Sequence, residues 1–154
     1  MRCNGPTACS MASVVGVLLS VALVGCDPGP QIVTSIVFDG ETRSIETRDV
    51  VCTKQFDGGL VILVKGGLNR TVRVQLTQQG RIVVQKAGLR YDDMAGFVAD
   101  PQEVSATKVD DTFTFGGRMP PNEGKSQWHT FKIETTCPWY QDAPPPRQNS
   151  PGAP

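Results

Sequence analysis

The chain has 154 residues and a mass of 16.6 kDa, which indicates one domain rather than two. It holds 15 lysines and arginines against 15 aspartates and glutamates, so its formal net charge is zero. A nucleic-acid-binding protein normally carries a basic excess or patch, and the balance therefore argues against that class. Hydrophobic residues make up 39 % of the chain, which is typical of a globular protein and not of a disordered one.

Residues 1–25 have the pattern of a secretory signal peptide. Arg2 is their only charged residue, and the apolar run from Met11 to Gly25 is shorter than the about 20 residues of a transmembrane helix. The run ends at Leu23-Val24-Gly25-Cys26, which resembles the lipobox of bacterial lipoproteins. There the cysteine thiol receives a diacylglycerol, and cleavage makes that cysteine the new, acylated N-terminus. We therefore predict a lipidated Cys26. The alternative is an ordinary signal peptide with an unmodified cysteine, and both Met1 and Met11 are candidate translation starts.

The residues from Cys26 onward divide into a tether, a domain and a tail. Residues 26–30 form a short tether, residues 31–140 have a strand-like pattern, and residues 141–154 contain five prolines. The four residues after Cys26 reach only about 13 Å when extended, so we expect the domain to sit close to the membrane. The tail has almost no apolar bulk, cannot bury a core and is expected to be disordered.

Period-two alternation and repeated turn signals predict seven or eight short strands, arranged as an antiparallel β-sandwich or partly open barrel with at most one short helix. The fully apolar run Leu60–Val64 is typical of a central strand covered on both faces. Two hairpins are expected, around Gln78–Gly80 and around Asp110-Asp111. Residues 89–101 are ambiguous, and Asp92–Gly96 also fits one turn of helix. The predicted strands are Ile32–Phe38, Val50–Thr53, Leu60–Val64, Val72–Leu76, Arg81–Ala87, Val104–Val109, Thr112–Gly116 and Phe131–Cys137.

Two cysteines remain in the domain once Cys3 and Cys9 leave with the signal peptide and Cys26 is acylated. Cys52 and Cys137 are expected to form a disulfide, because exported proteins fold in an oxidising compartment. Two buried free thiols are the alternative. Cys137 falls on the same predicted strand face as Phe131 and Ile133, which points it toward the core, as a buried disulfide requires.

No sequence motif indicates catalysis, a metal or a cofactor. His129 is the only histidine, and we interpret it as structural, either facing inward with Phe131 or lying at the frayed start of its strand. Neither a nucleophile elbow nor a phosphate-binding glycine loop occurs. The Gly-Gly pairs at 58–59, 66–67 and 116–117 are interpreted as turns or bulges at strand ends. Asp92-Asp93 and Asp110-Asp111 lack the spaced acidic loop of a calcium site.

Three aromatic residues, Trp128, Trp139 and Tyr140, are close in sequence to Cys137. We expect them to pack around the disulfide and to seal the end of the sheet. A surface that binds a ligand through its aromatic rings is the alternative.

Several short segments, in this order and spacing, resemble the mycobacterial 19 kDa lipoprotein antigen family over about residues 40–137. Besides the lipobox, they are Val50-Val51-Cys52-Thr53, Gly88-Leu89-Arg90-Tyr91, Ala106-Thr107-Lys108, Thr112–Gly117 and Phe131–Cys137. The resemblance implies an envelope lipoprotein anchored through Cys26, with Cys52 and Cys137 as its paired cysteines. It also implies a non-enzymatic surface antigen whose acylated N-terminus is recognised by host innate receptors.

The sequence therefore predicts a lipid-anchored, non-catalytic and monomeric lipoprotein of the cell envelope, whose β-domain contacts protein or glycan. The alternative is an envelope carrier that binds a small apolar ligand between its sheets. This alternative requires a large cavity, and a domain of about 110 residues has a core only just large enough to stabilise itself. An envelope enzyme is a third class, and it would depend on His129 or on a pair of carboxylates in a cleft.

Overall fold

The computed structural model describes residues 29–144, and it forms an all-β sandwich of two sheets. The predicted signal peptide, Cys26 and residues 145–154 of the predicted tail lie outside the described residues. No helix occurs between residues 29 and 144, and the predicted fold class is confirmed. The strands are β1 Ile32–Phe38, β2 Glu41–Thr47, β3 Val50–Lys54, β4 Gly59–Lys65, β5 Arg70–Thr77, β6 Val83–Tyr91, β7 Met94–Val98, β8 Val104–Val109, β9 Thr112–Met119, β10 His129–Thr136 and β11 Tyr140–Asp142.

The first sheet, sheet A, has the strand order β2-β1-β10-β9-β8, and the second, sheet B, has the order β11-β3-β4-β5-β6-β7. Neighbouring strands are antiparallel except for β11, which pairs in parallel with β3. Tight hairpins account for much of this order. In the first of them, Asp39 and Gly40 both have positive φ, at 50° and 85°, as the two-residue turn between β1 and β2 requires.

The core lies between the sheets and is built from the inward side chains of both. On β5, Val72, Val74 and Leu76 are buried while Arg73 is exposed, which confirms the alternation predicted there. Phe113 and Phe115 of β9 are fully buried, and their rings stack with centroids 6.0 Å apart. Phe131, Ile133 and Thr135 share the inward face of β10, and Cys137, which directly follows the strand, is buried on the same side, as predicted. These side chains belong to one continuous buried cluster that joins the sheets.

Three strands, β2, β7 and β11, occur where the sequence predicts no strand. Strand β2 was not predicted, because Ile45 is its only buried side chain and its alternation is therefore weak. Residues 92–96 form no helical turn: Asp92 and Asp93 connect β6 to β7 in a hairpin. Strand β11 includes Gln141 and Asp142, so the edge of sheet B extends two residues past the predicted domain end at residue 140.

Two local predictions were wrong. Strand β4 is central, but Val61 and Leu63 are only partly buried on its outer side, so the sheet is covered on one face and not on both. Gly116 and Gly117 lie inside β9 and not at a strand end. A side chain at Gly117 would collide with the backbone carbonyl of Glu103, so this glycine permits β8 and its preceding loop to approach β9 closely.

The predicted disulfide is present and links the two sheets. Cys52 lies on β3 of sheet B, and Cys137 directly follows β10 of sheet A, with their Cα atoms 5.9 Å apart. Both cysteines are buried. The crosslink therefore fastens the two layers of the sandwich across its core.

Candidate functional site

The outer face of sheet B carries a cluster of basic side chains. Strand pairing places Arg73 of β5 opposite Gly88 of β6, and Lys86 and Arg90 are the next outward residues on either side of Gly88. Lys65 of β4 lies one row away, opposite Thr71. All four cations are exposed, and none of them has an ion-pair partner within 4.0 Å in the described part of the chain. We call the outward surface defined by Lys65, Arg73, Lys86 and Arg90 the basic face.

Neutral residues fill the positions between these cations. The pairing of β3 to β7 gives three outward rows, and none of their residues is aspartate or glutamate. Electrostatic attraction on this surface is therefore directed at anions. The rows are Thr53-Val61-Gln75-Lys86, Val51-Leu63-Arg73-Gly88-Phe97 and Lys65-Thr71-Arg90-Ala95.

Two open grooves cross the basic face. The larger has a volume of about 500 Å³, and it extends from Leu68 past Arg73 and Arg90 to Phe97. The smaller, of about 390 Å³, is lined by Arg73, Lys86 and Phe97 among others. Gly88 has no side chain, and the ring of Phe97 lies over it: a Cβ placed there would be 3.3 Å from the ring. Phe97 remains 55 % exposed, so the floor of the grooves combines positive charge with an accessible aromatic ring.

Sheet A has no comparable charge on its outer face. Its outward side chains include the cations Lys132 and Arg118, but also the acids Glu134 and Glu46. Arg118 is neutralised by Glu103, which lies 2.9 Å away. The zero net charge of the chain therefore conceals an uneven distribution, with unpaired positive charge concentrated on one of the two faces.

The described chain begins beside the end of β4 from which Lys65 projects. A side chain built at Gly29 would lie 3.8 Å from the indole of Trp139, and Arg48 donates a hydrogen bond of 3.2 Å to the carbonyl of Gly29. The turn that contains Arg48 is also hydrogen-bonded to the end of β4, because the backbone N–H of Lys65 donates to the carbonyl of Asp49. Leu68, three residues further on, is completely exposed.

The aromatic residues near Cys137 do not form one cluster. Tyr140 donates a hydrogen bond of 2.9 Å to Asp111, and Lys54 lies 5.1 Å above its ring, so this residue does close the sheet edge beside the disulfide. Burial, together with the Asp111 carboxylate, raises the pKa of Tyr140 to about 12. Trp128 precedes β10 at the strand end away from the disulfide, and it packs against Arg118 instead. The expectation that Trp128 surrounds the disulfide is therefore wrong, because the eight residues of β10 intervene.

His129 occupies the first position of β10 and is held by Asp39. Its Nδ1 lies 2.6 Å from Oδ2 of Asp39, and its ring stacks on Phe38 with centroids 4.8 Å apart. Partial burial acts to raise the pKa of Asp39, but the hydrogen bonds from His129 and from the backbone N–H of Thr130 outweigh it and lower that pKa. The two predicted placements are therefore both correct: His129 begins the strand, and it lies on the inward side with Phe131. The pair fastens β10 to the β1–β2 turn.

The described residues contain no group of three or more histidine, cysteine, aspartate or glutamate side chains arranged to hold a metal ion. No membrane-crossing helix occurs between residues 29 and 144. The two grooves of the basic face are open and have arginine and lysine in their walls. They are consequently different from the enclosed apolar cavity between the sheets that an apolar-ligand carrier requires.

A comparison with sequence models of protein families identifies the same family as the resemblance in the sequence. The sequence model of the Mycobacterium 19 kDa lipoprotein antigen matches residues 27–137, which include every strand from β1 to β10 and both bridged cysteines. The chain belongs to this lipoprotein antigen family. No curated protein matches the chain.

In this member of the family, the paired cysteines could be predicted from the sequence, but the basic face could not. Arg73, Lys86 and Arg90 are far enough apart in sequence that no basic run is visible, and only the pairing of β5 with β6 brings them together. The signal available in the sequence was the alternation itself. Arg73 and Arg90 each stand between two inward apolar residues of their strands, which marks them as outward-facing.

Proposed function

We propose that the protein is a lipid-anchored, non-catalytic lipoprotein of the cell envelope, held on the membrane by acyl chains on Cys26. Its β-domain acts as an interaction module through its outer surfaces. The observation that carries this proposal is the construction of the sandwich: apolar side chains from both sheets pack together in one core, while two open grooves cross the outer face of sheet B. This construction favours binding at an outer surface over enclosure of a small apolar ligand.

The non-catalytic part of the proposal is supported by the arrangement around His129. Its Nδ1 is committed to Asp39, and its Nε2 is buried without a hydrogen-bond partner among the described residues. A histidine that acts as a general base needs a substrate proton or a nucleophile within hydrogen-bond reach. The partly buried ring of His129 joins the start of β10 to the β1–β2 turn, and this arrangement suits a structural role instead.

Membrane fractionation tests the anchor. The wild-type protein is expected in the membrane fraction with a mass that includes its acyl groups, and Cys26→Ser is expected to carry no acyl groups. Cys9→Ser is the matched control, because Cys9 lies within the predicted signal peptide and its loss should change neither result. A wild-type protein that is soluble, or whose mass includes no acyl groups, would refute the anchor.

Recognition by host innate receptors is a separate part of the proposal, and it depends on the acylated N-terminus. Purified acylated protein should activate receptor-bearing reporter cells, and the Cys26→Ser protein should not. Equal activation by the two proteins would assign recognition to the β-domain.

A further inference from the structure

The unpaired charge on sheet B and the position of the chain entry together identify an interaction surface. We propose that the basic face lies against the anionic headgroups of the membrane that holds the acyl chains of Cys26. This inference rests on the proposed anchor and adds an orientation to it: sheet B faces the membrane, and sheet A faces away from it.

The basic face is complementary in charge to anionic headgroups. The basic face presents four exposed cations and no acidic side chain among the outward residues of β3 to β7. Lys86 and Arg90 are four residues apart on one strand, so they are separated by about 13 Å, with Arg73 between them on the adjacent strand. A flat array of cations at this spacing matches a layer of headgroups, because each cation can meet a different phosphate.

The basic face also lies close to the predicted anchor at Cys26. Cys26 precedes Gly29 by three residues, so the Cα atoms of the two residues are at most about 11 Å apart. The sulfur of Cys26 is further away only by the length of its own side chain. Gly29 contacts Arg48, and the same turn is bonded to Lys65 at the margin of the basic face. From β3 to β6 the sheet is only about 14 Å wide, since neighbouring strands are about 4.8 Å apart. The acyl chains thus hold this face within reach of the headgroups at a high effective concentration.

Exposed apolar side chains lie on the basic face and around it. Leu68 is completely exposed at the turn that follows Lys65, Phe97 is 55 % exposed on the face itself, and Trp139 beside Gly29 is 46 % exposed. Exposed leucine, phenylalanine and tryptophan side chains among lysines and arginines are the composition of surfaces that bind at the membrane interface. A lipid anchor combined with a basic patch also binds membranes more stably than one signal alone.

Lysine acetylation of the intact acylated protein tests this orientation without any substitution. The protein is reconstituted in phosphatidylcholine vesicles with or without phosphatidylglycerol, and the labelling rates are read by mass spectrometry. Lys65 and Lys86 should be labelled several-fold more slowly on the anionic vesicles, and high salt should abolish this difference. Lys132 is the internal control, because it is exposed on the outer face of sheet A and should be labelled equally on both.

Substitutions in the acylated protein supply the second measurement. Arg73→Gln with Arg90→Gln should return the labelling of Lys86 on anionic vesicles to its rate on neutral vesicles. Arg118→Gln with Lys132→Gln removes the same charge from sheet A and should leave the protection of Lys86 unchanged. All four side chains are exposed, so both proteins should fold.

The possible results separate the two proposals. If the protein floats with the vesicles but Lys86 is labelled at the same rate on both, the anchor stands and the orientation is overturned. Equal protection of Lys132 also overturns it. Protection by soluble dextran sulfate but not by anionic vesicles assigns the face to a soluble polyanion and likewise overturns membrane docking. A protein that fails to float overturns the anchor and the orientation together.

Discussion

Thr34 and Thr135 are joined by a hydrogen bond of 2.7 Å between their hydroxyl groups inside the sandwich. They lie on the neighbouring strands β1 and β10, and their exposure is 0 % and 1 %. Each hydroxyl is the partner that the other needs, because a buried polar group without a hydrogen bond is costly. The central strands of sheet A are therefore fixed in register by a polar contact as well as by apolar packing.

This relationship predicts an unusual result for a pair of substitutions. Thr34→Val leaves the hydroxyl of Thr135 buried and unpaired, so the free energy of unfolding should fall by about 1–3 kcal/mol. Thr34→Val with Thr135→Val replaces both hydroxyls by methyl groups of similar shape and should come close to wild-type stability. Urea denaturation of Thr34→Val, of Thr135→Val and of the double variant measures the coupling. A double variant that loses the sum of the two single losses would contradict the pairing.

Gly117 is predicted to be far more sensitive to substitution than its neighbour in β9. Gly117→Ala would place a Cβ against the carbonyl of Glu103, and a backbone atom cannot move aside as a flexible side chain can. We expect a loss of about 1–3 kcal/mol, as for other overpacked sites. Gly116→Ala is the matched control, since its new Cβ would lie 3.7 Å from the nearest atom, the carbonyl oxygen of Phe131. Thermal unfolding compares the two, and equal losses would show that strand propensity decides the effect.

Removal of the disulfide should destabilise the domain strongly. Cys52 and Cys137 are 85 positions apart, and the chain-entropy model gives a stabilisation of up to about 4.5 kcal/mol for a loop of this size. We expect Cys52→Ser with Cys137→Ser to lower the free energy of unfolding by a large part of that amount in denaturant titrations. Intact-mass analysis of the wild type should show a gain of two hydrogens on reduction. Unchanged stability in the double variant would mean that the unfolded chain gains nothing from release of the crosslink.

The pair of Asp39 and His129 predicts a pH dependence at acidic pH. The pKa of Asp39 is lowered from its ordinary value of 3.8, so the folded state prefers the ionised carboxylate. Such a group adds stability that is fully present above its unfolded-state pKa and is lost as the pH falls through its folded-state pKa. Asp39→Asn should therefore reduce the loss of stability between about pH 4 and pH 2. Asparagine tolerates the positive φ of residue 39, which keeps the turn intact.

The measurement is a series of urea denaturations at several acidic pH values for the wild type and Asp39→Asn. Curves that run parallel between about pH 4 and pH 2 would contradict the assignment of this pH dependence to Asp39.

The strands that bury several apolar side chains could be predicted from the sequence. Strand β1 was predicted with its observed bounds, Ile32–Phe38, because its β-branched residues run directly into an Asp-Gly turn. The strands that could not be predicted bury few apolar side chains. Strand β7 has Gly96 on its inward side, where an added Cβ would collide with Met119, and so lacks the apolar side chain that would reveal its period. Strand β11 has three residues and is defined by its pairing with β3.

The candidate surface could not be predicted in the same way, because it depends on which strands are neighbours. Trp128 and Trp139 are close in sequence and yet lie at opposite ends of β10. Arg73 and Arg90 are distant in sequence and yet share one face of a hairpin. Local alternation tells which side of a strand a residue occupies. Only the strand order tells which residues meet on that side.

The parallel pairing of β11 with β3 determines where the chain leaves the domain. Trp139 is beside Gly29, and from there β11 runs in the direction of β3, with Asp142 opposite Lys54 and the N–H of Ala143 bonded to the carbonyl of Lys54. The chain thus enters at one end of the sandwich and leaves toward the β3–β4 turn at the other. A reporter group attached at Asp142 or Ala143 would therefore lie beside the β3–β4 turn, remote from the point at which the described chain enters the domain.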